Sequence, residues 1–219
     1  MGLICSCESV LPNLIDVTCP KDQDQIVKIA FQLKQSTAPF TTAGGAIGLA
    51  NSWNTLLAAS TSTKIVLSPA VANTVVPASE GQFVGEDSNE SVNGIGNYLG
   101  EGIVKITGEI HSAPQAVITA LKELSCYSDA SLGASNLTAY FFLRRIGGIS
   151  RVVAKAGASA GDYEGLEVFN FRVSSPMNEG YNSKTKYMWS LTMQADEWES
   201  SELVNLEFNP LALANVATT

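Results

Sequence analysis

The stretch LTAYFFLRRIGGISRVVAKA, residues 137–156, decides the fold. It holds two runs rich in β-branched and aromatic residues, 137–146 and 149–156, which meet at Gly147-Gly148. Such residues favour strands, and consecutive glycines supply the positive φ angles that tight hairpin turns require. The stretch therefore predicts two antiparallel strands joined by a turn.

Further strand patterns lie on both sides of this hairpin. Residues 64–67, 166–173 and 203–208 read as strands, and three longer runs alternate with period two. The apolar side chains expected on one face of each longer run are Val27, Ile29, Phe31 and Leu33 in 26–33; Val104, Ile106 and Ile110 in 102–110; and Tyr187, Trp189, Leu191 and Met193 in 184–194.

Two helices are predicted among these strands. The longer spans about 113–126, with Ser112 as N-cap, Pro114 in the first turn, and an apolar stripe of Val117, Leu121 and Leu124. A short one carries Trp53, Leu56 and Leu57 behind a cap at Asn51 or Ser52. Many antiparallel strands with few helices predict a mainly β (α+β) fold, an antiparallel β-sandwich or barrel with one flanking α-helix at 113–126.

The sequence divides into three segments. Residues 1–24, with Pro12 and Pro20, read as an extended N-terminal arm. Residues 25–208 form a single β-sandwich domain that contains a long polar loop at 71–101, and 209–219 form a C-terminal tail. Long polar loops in compact domains are usually functional or disordered.

Composition limits the classes of function. Only 16% of residues are charged and the net charge is −8, where soluble domains average roughly 25% charged. Sequence-specific nucleic-acid binding is not expected, because it depends on basic patches that release phosphate counterions. No run of about 18 apolar residues is present, so no membrane span is expected. The first cation, Lys21, comes too late for a secretory signal.

The four cysteines and the amino terminus leave minor alternatives open. Cys5, Cys7, Cys19 and Cys126 lack the paired spacing typical of zinc sites, so reduced thiols are the simpler interpretation. Gly2 and Ser6 match a myristoylation pattern, which requires a eukaryotic host.

No motif predicts catalysis or cofactor binding. Gly157-Ala-Ser159-Ala-Gly161 matches the nucleophile elbow of hydrolases, but the elbow needs a following helix and a downstream histidine, and His111 is the only histidine. A hairpin loop is the better interpretation. Gly44-Gly45-Ala-Ile-Gly48 lacks phosphate-loop spacing. We therefore expect a protein that is not an enzyme, with no catalytic, cofactor-binding or metal-binding residues.

Two groups of acidic residues could in principle form sites. Glu86, Asp87, Asn89 and Glu90 could supply calcium ligands, but Val92 stands where a calcium loop needs glycine. Carboxylates can act on glycosides, with tryptophan as a sugar platform. A charged surface, with Trp189 and Trp198 as core or interface anchors, is the simpler interpretation of the C-terminal acids Asp196, Glu197, Glu199, Glu202 and Glu207.

The order of segments resembles a known family. A cysteine-containing arm (CSCESVLPNLIDVTC) precedes the strand IVKIAFQL, and Trp53-x-x-Leu56 and STSTKIVLSP follow. Then come the polar segment EGQFVGEDSNESVNGIG, the helix SAPQAVITALKELSC and the closing LEFNPLALANV. This layout is similar to that of virion proteins of tailed bacteriophages infecting Bacteroidetes, and most to their tail tube (major tail) proteins.

The resemblance implies a function in assembly. Six copies would close a ring whose inner strands join into a lumenal barrel, and rings would stack into a conduit for DNA that is not bound specifically. The polar loop, the N-terminal arm and the C-terminal tail would contact neighbours, and an acidic wall would repel DNA phosphates. The protein would be located in the virion, with other virion proteins as partners, after assembly in the host bacterial cytoplasm.

Other functions stay open. A capsid decoration, head-fibre or neck protein suits the composition as well, and a carbohydrate-binding domain suits it less. The sequence leaves open the ring symmetry, the strand face that would line a lumen, the role of the cysteines, and whether the tail contracts.

Overall fold

The computed structural model describes residues 25–42, 44–84, 97–129, 135–144, 148–177 and 184–216. Three short α-helices and thirteen strands form within these residues. The helices are α1 (Ala50–Leu57), α2 (Gln115–Glu123) and α3 (Ala195–Glu199), and 3-10 turns span Leu124–Ser128 and Pro210–Ala212. The strands are β1 (Gln25–Leu33), β2 (Ile65–Leu67), β3 (Val71–Val75), β4 (Gly81–Val84), β5 (Asn97–Glu101), β6 (Ile103–His111), β7 (Leu137–Arg144), β8 (Ser150–Ala156), β9 (Tyr163–Glu164), β10 (Leu166–Glu167), β11 (Phe169–Val173), β12 (Lys186–Gln194) and β13 (Ser201–Leu206).

Most strands belong to two antiparallel sheets. The first sheet has the order β13-β8-β7-β1-β2, with β9 paired to β8 and β10 paired to β7. The second has the order β11-β12-β6-β3, and β4 and β5 form a separate two-stranded ribbon. The predicted mainly β, antiparallel sandwich with a flanking helix is confirmed.

The predicted hairpin is the centre of the first sheet. β7 and β8 pair antiparallel, with Arg144 opposite Ser150. Residues 145–147 of the connection lie outside the described residues. β7 does not alternate in polarity because both of its faces are covered, as in other doubly buried strands. Ala139 and Phe141 enter the core between the sheets, whereas Tyr140 and Phe142 enter a second core on the outer face.

These two cores make the fold three layers deep. The inter-sheet core joins the buried faces of both sheets, and Ile118 and Leu121 of α2 pack into it. The outer core lies beneath α1 and the C-terminal segment, where Trp53 contacts Phe40 at a ring separation of 4.5 Å and Leu213 is buried. As a result, the first sheet has no solvent face of its own, whereas one face of the second sheet is exposed.

The face predicted for β1 is correct at Ile29 and Phe31 but wrong at Val27. Ile29 and Phe31 lie in the inter-sheet core, whereas Val27 packs against the outer core. The cause is an irregularity in the β1–β7 register between Ile26 and Lys28, which shifts the alternation by one residue.

The run 166–173, predicted as one strand, is two. β10 pairs with β7 in the first sheet, and β11 pairs with β12 in the second. The chain therefore crosses between the sheets at Val168, whose side chain is fully buried.

Both main helices exist, but their predicted caps are wrong. Pro114 is the N-cap of α2 rather than part of its first turn, and Ser112 has a φ of 52° outside the helix. The helix starts two residues later than expected, and its last turn continues as the 3-10 turn. Leu49 precedes α1, which begins before the predicted caps Asn51 and Ser52.

The segment 71–101, predicted as a long polar loop, contains strands. Its described parts form β3, β4 and β5. Residues 85–96, with the candidate calcium ligands Glu86, Asp87, Asn89 and Glu90, lie outside the described residues. The strands went unrecognised because their alternation is short and interrupted by Gly, Asn and Ser.

Candidate assembly surfaces

The β4–β5 ribbon extends the β3–β6 pair beyond the second sheet. The Gly102 N–H donates to the Glu80 carbonyl at 2.8 Å, which continues the hydrogen bonding from β6 into the ribbon. Phe83 stands opposite Tyr98, with ring centroids 5.6 Å apart. Within the described part of the chain, no third strand pairs with either edge of this ribbon. It is therefore a projecting two-stranded element, a form that is marginally stable without further packing.

Exposed apolar side chains are concentrated on this ribbon and at its base. The three most exposed large hydrophobic residues of the described chain are Ile103 (64%), Val75 (58%) and Tyr98 (57%), and Phe83 is 49% exposed. Val75 ends β3 and Ile103 begins β6, so both flank the point where the ribbon leaves the sheet. Clustered apolar surface on a projecting element is typical of protein–protein contact sites.

Two of the four sheet edges are covered by their own chain. At β2, the Leu67 N–H donates to the Asn215 Oδ1 at 2.8 Å and the Leu67 carbonyl accepts from the Asn215 Nδ2 at 2.9 Å. At β11, the Phe171 N–H donates to the Ser128 hydroxyl at 2.9 Å. Each side chain replaces the partner that a neighbouring strand would provide.

The other two edges are less protected. A β-bulge interrupts β3 at Asn73, whose φ is 49°. Bulges of this kind limit edge-to-edge pairing. Beside β13, the Gly48 carbonyl accepts from the Glu207 N–H at 3.0 Å, just past the end of the strand. No described strand pairs with the outer edge of Ser201–Leu206.

The exposed face of the second sheet is mixed: polar residues alternate with the exposed Met188 and Ile103, and a charged cluster lies at one end. Glu109 accepts from the Asn73 Nδ2 at 2.9 Å and lies 3.2 Å from the His111 Nε2 and 3.5 Å from the Lys186 Nζ. The hydrogen bond from Asn73, together with the two cations, holds the pKa of Glu109 below its ordinary value, against a smaller opposing effect of burial. The cluster ties β3, β6 and β12 together.

The clearest group of ionisable side chains lines a small depression of about 50 Å³ beside β10 and α3. Two of its carboxylates form ion pairs with lysines. Lys34 pairs with Glu167 at 2.7 Å, and Lys155 pairs with Glu197 at 2.5 Å. Burial opposes the charge on Lys155, but the hydrogen bond and charge of Glu197 outweigh it and raise the pKa of Lys155. This arrangement fixes α3 to β8 and leaves neither carboxylate poised as a free acid or base.

The serine motif is a hairpin loop, as predicted. Gly157–Gly161 connects β8 to β9, and the Gly157 N–H donates to the Asp162 carbonyl at 2.8 Å. Ser159 is exposed in this loop. His111 lies at the end of β6 in the other sheet, beside Glu109, so the structure does not bring a histidine to the serine.

The two tryptophans considered as a sugar platform do not form one. Trp189 is 2% exposed in the inter-sheet core, and its Nε1 has no hydrogen-bond partner among the described residues. Trp198 is half-buried, edge-on to Phe141 at 5.8 Å. The acids around Trp198 lie on α3 and β13, where Glu197 is paired with Lys155.

A second internal contact of the C-terminal tail has no signal in the sequence. Lys28 is buried, its Nζ donates to the Leu213 carbonyl at 2.6 Å, and burial lowers its pKa. With Asn215 on β2, this contact packs residues 210–215 against their own sheet. The partners are separated by 185 and 148 residues, so no local pattern could reveal them.

The described residues contain no group of three metal-ligating side chains. Cys126 is exposed as a free thiol, and Cys5, Cys7 and Cys19 lie outside the described residues. Among the helices described here, none is both long and apolar enough to cross a membrane.

No family model, curated protein or solved structure matches this chain.

Proposed function

We propose that this chain is a structural subunit of a phage virion, a tail tube protein that assembles with copies of itself into stacked rings. The observation that carries the proposal is the projecting β4–β5 ribbon with the exposed aromatic pair Phe83 and Tyr98. Exposed aromatic side chains are common anchors of protein–protein interfaces. The layout of the sequence adds the resemblance to tail tube proteins.

The proposal also identifies the sheet face that would line the conduit. Both faces of the first sheet are covered, so the free face of the second sheet is the one that can line a lumen. Its outward side chains include Lys105, Thr107, Glu109, Arg172, Met188, Ser190 and Thr192. In the conduit, passing DNA would meet hydroxyl groups and charged groups of both signs on this face.

Ring closure would not be simple strand pairing. The β11 edge is occupied at Phe171 by the Ser128 hydroxyl, and the β3 edge is bulged at Asn73. A continuous hydrogen-bonded barrel would therefore require Ser128 to be displaced. A contact made through side chains and the ribbon would leave the Ser128 hydrogen bond in place. Such a contact joins two different surfaces, which closes rings when the rotation between copies allows it.

Removing the aromatic anchors tests the proposal. Phe83→Ser combined with Tyr98→Ser should leave the unfolding transition almost unchanged but weaken self-assembly at least about tenfold, because hot-spot aromatics each contribute about 2 kcal/mol or more. Sedimentation velocity across a concentration series measures the self-assembly of the native protein and of the variant. The matched control is Tyr127→Ser with Met177→Ser, two exposed apolar residues away from the ribbon.

The outcomes separate the candidates. Assembly that is lost in the ribbon variant and kept in the control supports the proposal, whereas equal assembly of all three proteins contradicts it. Trimers, or binding to capsid lattices alone, would favour a decoration, head-fibre or neck protein. The proposal places the chain in the virion beside other virion proteins and gives it no catalytic role.

A further inference from the structure

We propose that the free face of the second sheet makes weak, sequence-independent contacts with the phosphate backbone of DNA. Four side chains provide the contacts: Lys105, Thr107, Arg172 and Ser190. The inference rests on the proposed function for the choice of DNA as the ligand. It deepens that function, because it identifies the groups that the wall of the conduit presents to passing DNA.

One row of side chains crosses three strands of this face. Thr107 of β6 stands opposite Ser190 of β12, and Ser190 stands opposite Arg172 of β11. The residues beside these three in sequence are buried in the inter-sheet core: Ile106, Leu191 and Phe171. Because side chains alternate along a strand, the row itself points away from the core. Two hydroxyl groups and a guanidinium group therefore lie side by side on the surface.

Lys105 adds a second cation beside this row. It lies two residues from Thr107 on the same face of β6, and both Lys105 and Arg172 are exposed. At the usual spacing of strands and residues in a sheet, the Cα atoms of the two cations are about 12 Å apart. The hydroxyl groups of Thr107 and Ser190 lie between them. An anion above the hydroxyl groups is therefore flanked by a long cationic side chain on either side.

The four side chains are hydrogen-bond donors that are not used within the fold. None of them takes part in a hydrogen bond or an ion pair with another described residue. The neighbouring hydroxyl of Thr192 differs, since it donates to the Phe169 carbonyl at 3.1 Å. Lysine, arginine, serine and threonine are among the side chains that donate to DNA phosphates. The row therefore offers the donors that a phosphate group accepts from.

The acidic residue of this sheet does not neutralise the two cations. The four strands of the second sheet contain one acid, Glu109, and three lysines or arginines, which are Lys105, Arg172 and Lys186. Glu109 lies 3.5 Å from the Lys186 Nζ. It is four residues along β6 from Lys105, or about 13 Å at the rise of a strand. In a protein with a net charge of −8, this sheet is unusual in having more basic than acidic residues.

The open shape of the face points to an extended polyanion as the ligand. The four side chains stand on neighbouring strands of a sheet surface, whereas sites for small molecules are concave. A sheet surface meets the backbone of a duplex and does not reach the base edges in its grooves, so the contact has no sequence preference. The net charge of −8 repels DNA as a whole. The contact is therefore weak, which suits a conduit that DNA passes through.

Binding to a fluorescently labelled DNA duplex of random sequence tests the inference. Fluorescence anisotropy is followed as the native protein is added in low and in fourfold higher salt. Each neutralised phosphate adds about −0.9 to the slope of log K against log salt, so two cations predict an affinity about tenfold lower at the higher salt. Lys105→Gln with Arg172→Gln should bind at least about tenfold more weakly at low salt and lose most of the salt dependence.

Two further variants separate charge from hydrogen bonding and from position. Thr107→Val with Ser190→Ala should weaken binding several-fold but leave the salt slope unchanged, because it removes donors and no charge. The control, Lys64→Gln with Lys122→Gln, removes two cations outside the second sheet and should bind like the native protein. Thermal unfolding and sedimentation velocity check that each variant folds and assembles like the native protein.

Binding that is lost in the charge variant and kept in the control supports the inference. A native protein that binds no DNA at low salt, or a charge variant that binds as well as the native protein, overturns it. Equal binding of DNA and poly-glutamate also overturns it, since the ligand would then be an acidic protein surface. The proposed function survives these results if the native protein assembles. A native protein that stays monomeric overturns the proposed function instead, and the DNA titration of the single chain still tests the face.

Discussion

At the scale of single residues, Gly108 in the second sheet has no room for a side chain. It stands opposite Trp189, and a β-carbon at Gly108 would lie 2.7–2.8 Å from three atoms of the indole ring. Trp189 is buried and cannot move away without disturbing the inter-sheet core. A glycine is therefore required here by space rather than by backbone conformation.

Gly108→Ala should lower the free energy of unfolding by about 1–3 kcal/mol, the usual cost of overpacking a core. Urea unfolding followed by tryptophan fluorescence measures it. The control is Thr107→Ala on the opposite face of β6, expected within about 0.5 kcal/mol of the native protein. Equal stability of Gly108→Ala and the native protein would mean that Trp189 is not held as described.

Glu109 gives a prediction about pH. Its pKa in the folded protein lies below the ordinary 4.5, chiefly through the hydrogen bond from Asn73. The charged carboxylate therefore stabilises the fold above pH 4.5, and this contribution is lost as the pH falls through the folded-state pKa. Lys186 and His111 are the other charged or titratable groups that face it.

Glu109→Gln should accordingly be less stable than the native protein at neutral pH, and the difference should narrow under acid. Denaturant unfolding at a series of pH values measures it, with Glu123→Gln on α2 as a control for loss of one negative charge. A difference that is independent of pH would contradict the role of the Glu109 charge.

The burial of single residues was predictable where one face of a strand is exposed to solvent. Trp189 and Leu191 were placed correctly in the core because β12 alternates with polar residues. Val27 was misplaced because a β-bulge changes the alternation without leaving any mark in the sequence. Asn215 could not be predicted, since its partner Leu67 is 148 residues away.

At the scale of elements, the C-terminal segment acts as a cover for the β2 edge. One asparagine side chain satisfies both outward backbone groups of Leu67, as a peptide group of a neighbouring strand would. Leu213 and the buried Lys28 hold this segment against the outer core. The covered edge helps to explain why β2, although only three residues long, is an ordered edge strand.

Asn215→Ala should cost about 1–2 kcal/mol of stability, because it removes two part-exposed hydrogen bonds that each contribute about 0.5–1.5 kcal/mol net. It should also speed hydrogen exchange at the Leu67 amide. The Ser68 amide, which donates to the Ile29 carbonyl at 2.8 Å within the sheet, is the internal control. Val216→Ala is the matched control variant, and unchanged exchange at Leu67 would show that the edge is not covered by Asn215.

The elements themselves were predictable to different degrees. Strands β6, β8 and β12 follow from composition and alternation, and α2 follows from its apolar stripe. The ribbon was missed because glycine and asparagine, which usually mark loops, interrupt its short strands. The division of 166–173 was missed because a change of sheet preserves the strand character of each half.

At the scale of the whole molecule, the two sheets differ in what they leave exposed. The first sheet is buried on both faces, and the second offers one exposed face, with the ribbon projecting past its end. The sandwich was predictable from the sequence, because most of its antiparallel strands have a recognisable local sequence pattern. The candidate assembly surfaces were not predictable, because they depend on which edges and side chains remain uncovered after folding.

Direct imaging of the purified chain tests the central claim, that this fold is completed by copies of itself. Negative-stain electron microscopy over a range of concentrations should show rings or tubes with a central channel. A uniform population of monomers at the highest concentration, confirmed by sedimentation, would contradict the claim.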